Sequence, residues 1–142
     1  MSIVSEIRHF PGSTQTVEIV VDGPATGGEL SLMTLRMPSG AGAPPHRHTL
    51  ESETLVVRDG SLAVEVDGER RKLGPGDAVH LRRGVLHAFV SEGGAVVDVL
   101  AVPAGLEEFF RTICALEPDA PPVDPGVIAA AAERYGLDFS GT

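Results

Sequence analysis

His46, His48, Glu53 and His87 are the residues whose types and spacing can do chemistry in this chain. His46 and His48 are two apart, and on a β-strand residues i and i+2 project from the same face. Two imidazoles side by side can share one ion. Thr49, Leu50, Glu51 and Ser52 separate them from Glu53, enough for a turn or bulge that returns a carboxylate to that face from the next strand. His87 lies far along the chain, so the expectation is that only a closed sheet brings it back. Three imidazoles and a carboxylate are borderline-to-hard ligands. They suit one divalent transition metal ion: Fe, Mn, Ni, Cu or Zn. Such a shell leaves coordination positions open for substrate and O₂ or water, the mark of a catalytic rather than a structural metal.

The elements that must position these residues are short strands. Thr16 to Val21 is β-branched and ends at Asp22-Gly23-Pro24, with a loop over Thr26 to Glu29. Leu30 to Met37 has two apolar faces, Met33, Leu35 and Met37 forming one of them. Pro38 to Pro45 reads as a connector that Pro44 and Pro45 hold extended on the way to the histidines. Thr54 to Arg58 and Ser61 to Val66 flank Asp59-Gly60, a hairpin signal that Asp67-Gly68 repeats before Glu69 to Leu73. Gly74-Pro75-Gly76-Asp77 is a further turn. Ala78 to Leu81 and Leu86 to Val90 surround a turn at Arg82-Arg83-Gly84, and Ala95 to Val102 closes the β-region. Short strands at regular spacing argue for a sandwich or barrel. Helix arrives only after Pro103. Leu106, Phe109, Phe110, Ile113 and Cys114 form one apolar stripe, with Glu107 and Glu108 in the first turn. Asp124 caps a second helix that starts at Pro125 and stops at Gly136.

Gly40, His46, His48, Glu53 and Gly60 fill the pattern G-x(5)-H-x-H-x(4)-E-x(6)-G. The chain here resembles the cupin superfamily, whose first motif this is. Gly76, Gly84 and His87 match the second motif, while Arg82 stands where proline is usual and Ser91 where asparagine is usual. The motifs cover about a quarter of the chain, and a lone H-x-H would be a weak signal. Three histidines beside a matched Glu and matched glycines speak against ordinary strand histidines. The resemblance implies a mainly β fold: a single cupin jelly-roll β-barrel over about residues 15–102, with two C-terminal α-helices over about 103–142, in one domain 1–142. It also implies His46, His48, Glu53 and His87 as metal ligands. In cupins of quercetinase-like type it implies that Glu53 is catalytic as well, handling a substrate proton. The expected activity is that of a dioxygenase-like enzyme acting on a small organic molecule of enol, diketone or flavonol type. The alternatives are a non-catalytic small-molecule-binding or sensing cupin, or a metal-dependent isomerase or cyclase.

Other residues divide between functional and plain readings. Glu51 either accepts a hydrogen bond from a ligand imidazole or is a solvated loop carboxylate, and the loop is the preferred reading. His80 lines the cup or faces solvent. Arg82 and Arg83 attract an anionic substrate or, as preferred, are surface cations. Cys114 reads as a small core residue rather than a catalytic thiol, and His9 as a surface or strand histidine. With five Phe, one Tyr and no Trp, the expectation is a pocket for a medium or small substrate with aliphatic contacts.

At 142 residues the chain is long enough to bury a core, and 17 Gly and 11 Pro suit many turns. A net charge of −9 disfavours nucleic acid and anionic membranes. The lone Cys114 gives no internal disulfide, no apolar run is long enough to span a membrane, and Met1 to Phe10 lacks an apolar leader segment. A cytoplasmic protein with a small-molecule substrate is expected. The helices would cover the barrel mouth or form a dimer interface, and a homodimer is the expected assembly.

Overall fold

The computed structural model describes residues 5–141. The expectation of a leaderless start concerns in part Met1 to Val4, which lie outside the described residues. The strands are β1 (Glu6–His9), β2 (Thr16–Val21), β3 (Ser31–Met37), β4 (Gly42–His48), β5 (Ser52–Val66), β6 (Glu69–Leu73), β7 (Ala78–Leu81), β8 (His87–Val102) and β9 (Leu137–Asp138). All join one antiparallel sheet, organised around β8. The second half of β8 pairs with β3 and its first half with β4, while β5 runs along its whole length. The inward residues of β8 keep one parity throughout: His87, Ser91, Ala95, Val97, Val99 and Ala101 are all buried. Facing them are Val17 and Ile19 of β2, Met33, Leu35 and Met37 of β3, and Leu55 and Val57 of β5, which make one core.

The pairing departs from a closed barrel. The order β1-β2-β3-β8-β4-β9, with β5 to β7 branching from β8, leaves the sheet open among the described residues. Strands β6 and β7 are five and four residues long and pair with β5 alone. The turns at Gly74-Pro75-Gly76 and Arg82-Arg83-Gly84 cut them short before any ladder reaches the opposite edge. His87 therefore does not need closure to return: it is the direct cross-strand neighbour of His46.

Asp59-Gly60 is not a hairpin. Both strands expected there belong to the single long β5, and both halves pair with β8 through register shifts at Val57/Asp59 and Gly60/Leu62. The double bulge moves the buried parity from Leu55 and Val57 to Leu62 and Val64. Gly60 is needed for close approach: a Cβ there would lie 2.1 Å from the Gly94 carbonyl oxygen. Asp67-Gly68 is a true two-residue hairpin, with positive φ at both positions (52° and 86°) and Val66 paired to Glu69 across it.

Three helices are present among the described residues. Helix α1 (Gly23–Thr26) stands where the sequence reads as strand end and loop; Asp22 caps it by accepting from Ala25 N. Helix α2 (Leu106–Ile113) buries the expected stripe, with Leu106 1% and Phe109 5% exposed. Glu107 does more than complement the helix dipole. Its side chain is buried and accepts from Gly105 N and from Gly23 N, so it pins α2 to α1. Helix α3 (Pro125–Arg134) is capped by Asp124, as its sequence predicts, and buries only Ala131 and Ala132. No helix among the described residues is long and apolar enough to cross a membrane.

Candidate metal centre

Strand β4 presents His46 and His48 on one face, β8 sets His87 opposite His46, and β5 brings Glu53 up as its second residue. All four side chains are buried, and their donor atoms lie within 4.8 Å of one another. His46 Nε2 is 3.1 Å from His48 Nε2, which is 2.9 Å from Glu53 Oε1; His87 Nε2 is 3.5 Å from the same oxygen. Two donors each about 2.1 Å from one ion at a right angle stand about 3 Å apart, so this spacing fits a shared ion.

The outward nitrogens decide the tautomers. His46 Nδ1 donates to the Pro44 carbonyl at 2.7 Å, His87 Nδ1 to the Val85 carbonyl at 3.2 Å, and His48 Nδ1 to Glu51 Oε1 at 2.8 Å. With each Nδ1 carrying the hydrogen, each Nε2 turns a lone pair toward the centre. With all three rings neutral, three lone pairs and a carboxylate converge, and the buried His87 Nε2 makes no hydrogen bond. Such a donor set fits a cation. Pro44 and Pro45 contribute directly: they lie inside β4, not in a connector, and prolines cannot donate to a ladder. The β4–β8 register shifts across them, and the Pro44 carbonyl is the one His46 uses.

Without an ion the same groups titrate against one another. Burial opposes a charged His48, but the hydrogen bonds to Glu51 and Glu53 outweigh it and raise the imidazole to about 9. Burial, with the neighbouring His87, lowers His46 to about 4. Burial disfavours the Glu53 carboxylate too, yet the neighbouring His48 and His87 imidazoles hold it down to about 2. A raised base stabilises the fold below its unfolded value of 6.5, and that contribution is lost as pH climbs through about 9. The depressed His46 costs stability as pH falls from 6.5 toward 4, and the Glu53 contribution disappears below 4.5 toward 2. Metal-free melting temperature is thus expected to be highest near pH 6.5 as far as these three groups decide it. Metal affinity should instead rise with pH up to about 9, roughly tenfold per unit, because the ion must displace the His48 proton. Zinc competition titrations at pH 6, 7 and 8 check this; a flat affinity would contradict it.

Glu51 overturns the loop reading. It is 2% exposed, because the turn at Thr49-Leu50 folds the chain back and sets its carboxylate three residues from His48. Glu51→Ala is expected to weaken metal binding by about 10–100-fold, the usual worth of such a partner. Isothermal titration against the parent protein measures it, and an unchanged affinity would leave Glu51 a merely buried carboxylate. His80 faces outward: it is exposed, sits 2.9 Å from Thr54 Oγ1 and shares an outer groove with Arg82. Arg82 and Arg83 are exposed and line an outer cleft with Arg47, away from the four residues. Cys114 is a core residue, its thiol pushed up to about 12 by burial.

His46, His48 and Glu53 sit against a cavity of about 320 Å³, lined by all five phenylalanines of the chain. The expectation of an aliphatic pocket fails here. Phe10, Phe89, Phe109, Phe110 and Phe139 are far apart in sequence and converge only in the fold. Helix α2 supplies two of them, and the tail supplies Phe139, whose ring lies 5.4 Å from that of His46. Strand β9, which the sequence reading lacks, fastens this tail to the end of β4 by pairing Leu137 with His48, and Gly136 accepts from Thr49 N. Leu137 and Phe139 alternating after Gly136 were its signal.

A family model described as Cupin domain matches residues 33–103. Quercetin 2,3-dioxygenase of Bacillus subtilis (strain 168) is 31% identical over 101 residues, which are 70% of this chain and 30% of that protein. Pectin degradation protein KdgF of Dickeya dadantii (strain 3937) is 31% identical over 75 residues, 51% of this chain and 68% of that one. The solved structure of KdgF from Halomonas sp. superposes with a TM-score of 0.60 at 27% identity, over 66% of this chain and 83% of that chain. The chain thus spans under a third of the dioxygenase's length and about two thirds of the Dickeya protein's.

Proposed function

The chain belongs to the cupin domain family, and on that premise we propose that it is a metal-dependent enzyme of dioxygenase type acting on a small enol, diketone or flavonol. His46, His48 and His87 would supply Nε2 and Glu53 one oxygen to a single divalent ion among Fe, Mn, Ni, Cu and Zn. Such an ion, when bound, supplies a Lewis acid for a substrate oxygen and a site for O₂. The observation that carries the reading is the convergence of three inward lone pairs and a carboxylate, every outward Nδ1 being already engaged.

The residues divide the work. Pro44, Val85 and Glu51 hold the imidazoles in orientation. Glu53 approaches His48 and His87 through Oε1. Its second oxygen would take the substrate proton. A bound dication would itself lower the basicity of Glu53, so proton transfer would call on a carboxylate held loosely at the ion. The apolar cavity excludes water from the reacting face. On this reading the chain is a single domain, with residues of its helical tail lining that cavity.

The test is O₂ uptake by protein loaded separately with Fe, Mn, Ni and Cu, given enols, diketones and flavonols. Metal-dependent consumption is expected. Its absence with every pairing would move the assignment to a metal-dependent isomerase or cyclase or a ligand-binding cupin. One observation favours that second reading: the Dickeya relative, matched over more of its length than the dioxygenase, is named for pectin degradation.

A further inference from the structure

Outside the four-residue cluster, the cavity carries one polar side chain, Gln15, and no cation. Five phenylalanines and a set of aliphatic residues make up the rest of its wall. Gln15 is 7% exposed, and its backbone bonds to Phe10 and Ser13, yet its side-chain amide makes no hydrogen bond to any described residue. That amide is an open hydrogen-bonding group in the cavity wall, within reach of a ligand. The placement of the two polar groups is also informative. Phe139 lies over His46. Gln15 is tied to Phe10, whose ring packs edge-on at 5.8 Å against Phe110 of α2. The cavity therefore has the cluster on one part of its wall, a single amide elsewhere in its lining, and aromatic rings over much of the rest.

We infer that the cavity takes an uncharged, ring-bearing molecule that meets the cluster through an enol or diketone oxygen and hydrogen-bonds Gln15 through a hydroxyl or carbonyl at its far end. This rests on the metal-centre reading above and names the substrate class for it. Aromatic walls favour offset and edge-to-face contact with a ring. A carboxylate away from the cluster would bury charge with no Lys or Arg to meet it. Polyhydroxylated acids are excluded on the same ground, having more hydroxyls than the one amide can satisfy. Gln15 and Phe139 are the specificity-determining residues: one reads the far polar group, the other closes the wall over the ring.

Zinc-loaded protein, which turns nothing over by redox chemistry, separates binding from catalysis. Isothermal titration would compare benzoylacetone with acetylacetone, which keeps the diketone and lacks the ring, and with oxaloacetate, which enolises and carries two carboxylates. Benzoylacetone should bind about tenfold or more tighter than acetylacetone, because the phenyl group is the added buried apolar surface, and oxaloacetate should bind most weakly. A para-hydroxyl on the phenyl group should add about three- to tenfold in affinity, the range of one neutral hydrogen bond. That gain should vanish in Gln15→Leu and in Gln15→Met while the ring preference stays. Phe139→Ala, at a half-exposed tail position, should lower the ring preference and leave zinc affinity unchanged. Equal binding of acetylacetone or oxaloacetate would overturn the substrate class, as would a hydroxyl gain that persists in both Gln15 variants. If this preference holds while O₂ uptake fails, the dioxygenase reading falls and the binding class stands. If turnover occurs without the preference, the binding class falls and the dioxygenase reading stands.

Discussion

Glu53→Gln is expected to bind metal and still lose turnover by about 10²–10⁴-fold, the usual worth of general acid–base catalysis. The amide keeps the size of the side chain and one oxygen for the ion, at the position Oε1 holds 2.9 Å from His48 Nε2. It loses the anionic second oxygen. The measurement is kcat with metal content determined on the same sample. If turnover tracks metal content and returns on full loading, Glu53 is a ligand and nothing more. His48→Ala should fail one step earlier, by losing the metal and leaving the Glu51 carboxylate buried without its donor.

Ending the chain after Val102 is expected to abolish a soluble fold. The cut removes α2, α3 and β9, and with them the buried Leu106 and Phe109 and the cavity wall formed by Phe110 and Phe139. Leu106 and Phe109 are each worth about 1.5–3 kcal/mol of burial. Their loss also uncovers Leu35, Leu55 and Val99 on the sheet, and loses the Glu107 bond to Gly23 N. Exposed apolar patches of this kind drive association. Light scattering should show aggregates; a monomeric truncate with an unchanged melting temperature would show that the tail is dispensable.

What the sequence made legible was local. The H-x-H pair needs only strand parity to share a face, and α3 announces itself by Asp124, Pro125 and Gly136. The stripe on α2 follows from helical period alone. Illegible parts depend on distant pairing or burial. Asp59-Gly60 has every local mark of a hairpin, but pairing with β8 on both sides of it outweighs that preference and makes it a bulge. Glu51 looks like a loop carboxylate until the turn before it is known to fold inward. Five scattered phenylalanines give no signal of a common wall, because only the tail's return to β4 assembles it. The open sheet is illegible for the same reason: motif spacing locates the four candidate residues without stating whether short strands meet at their edges.

Strand β9 has a kinetic consequence. It is tied to β4 by two paired residues and the Gly136 contacts with Thr49, whereas β8 is paired on both sides along most of its length. Protection against amide exchange follows such ties. The segment carrying Phe139 thus opens at a small fraction of the free energy needed to disturb His87 or His46. Fraying of the tail is therefore expected to move the Phe139 part of the cavity wall far more often than the sheet unfolds.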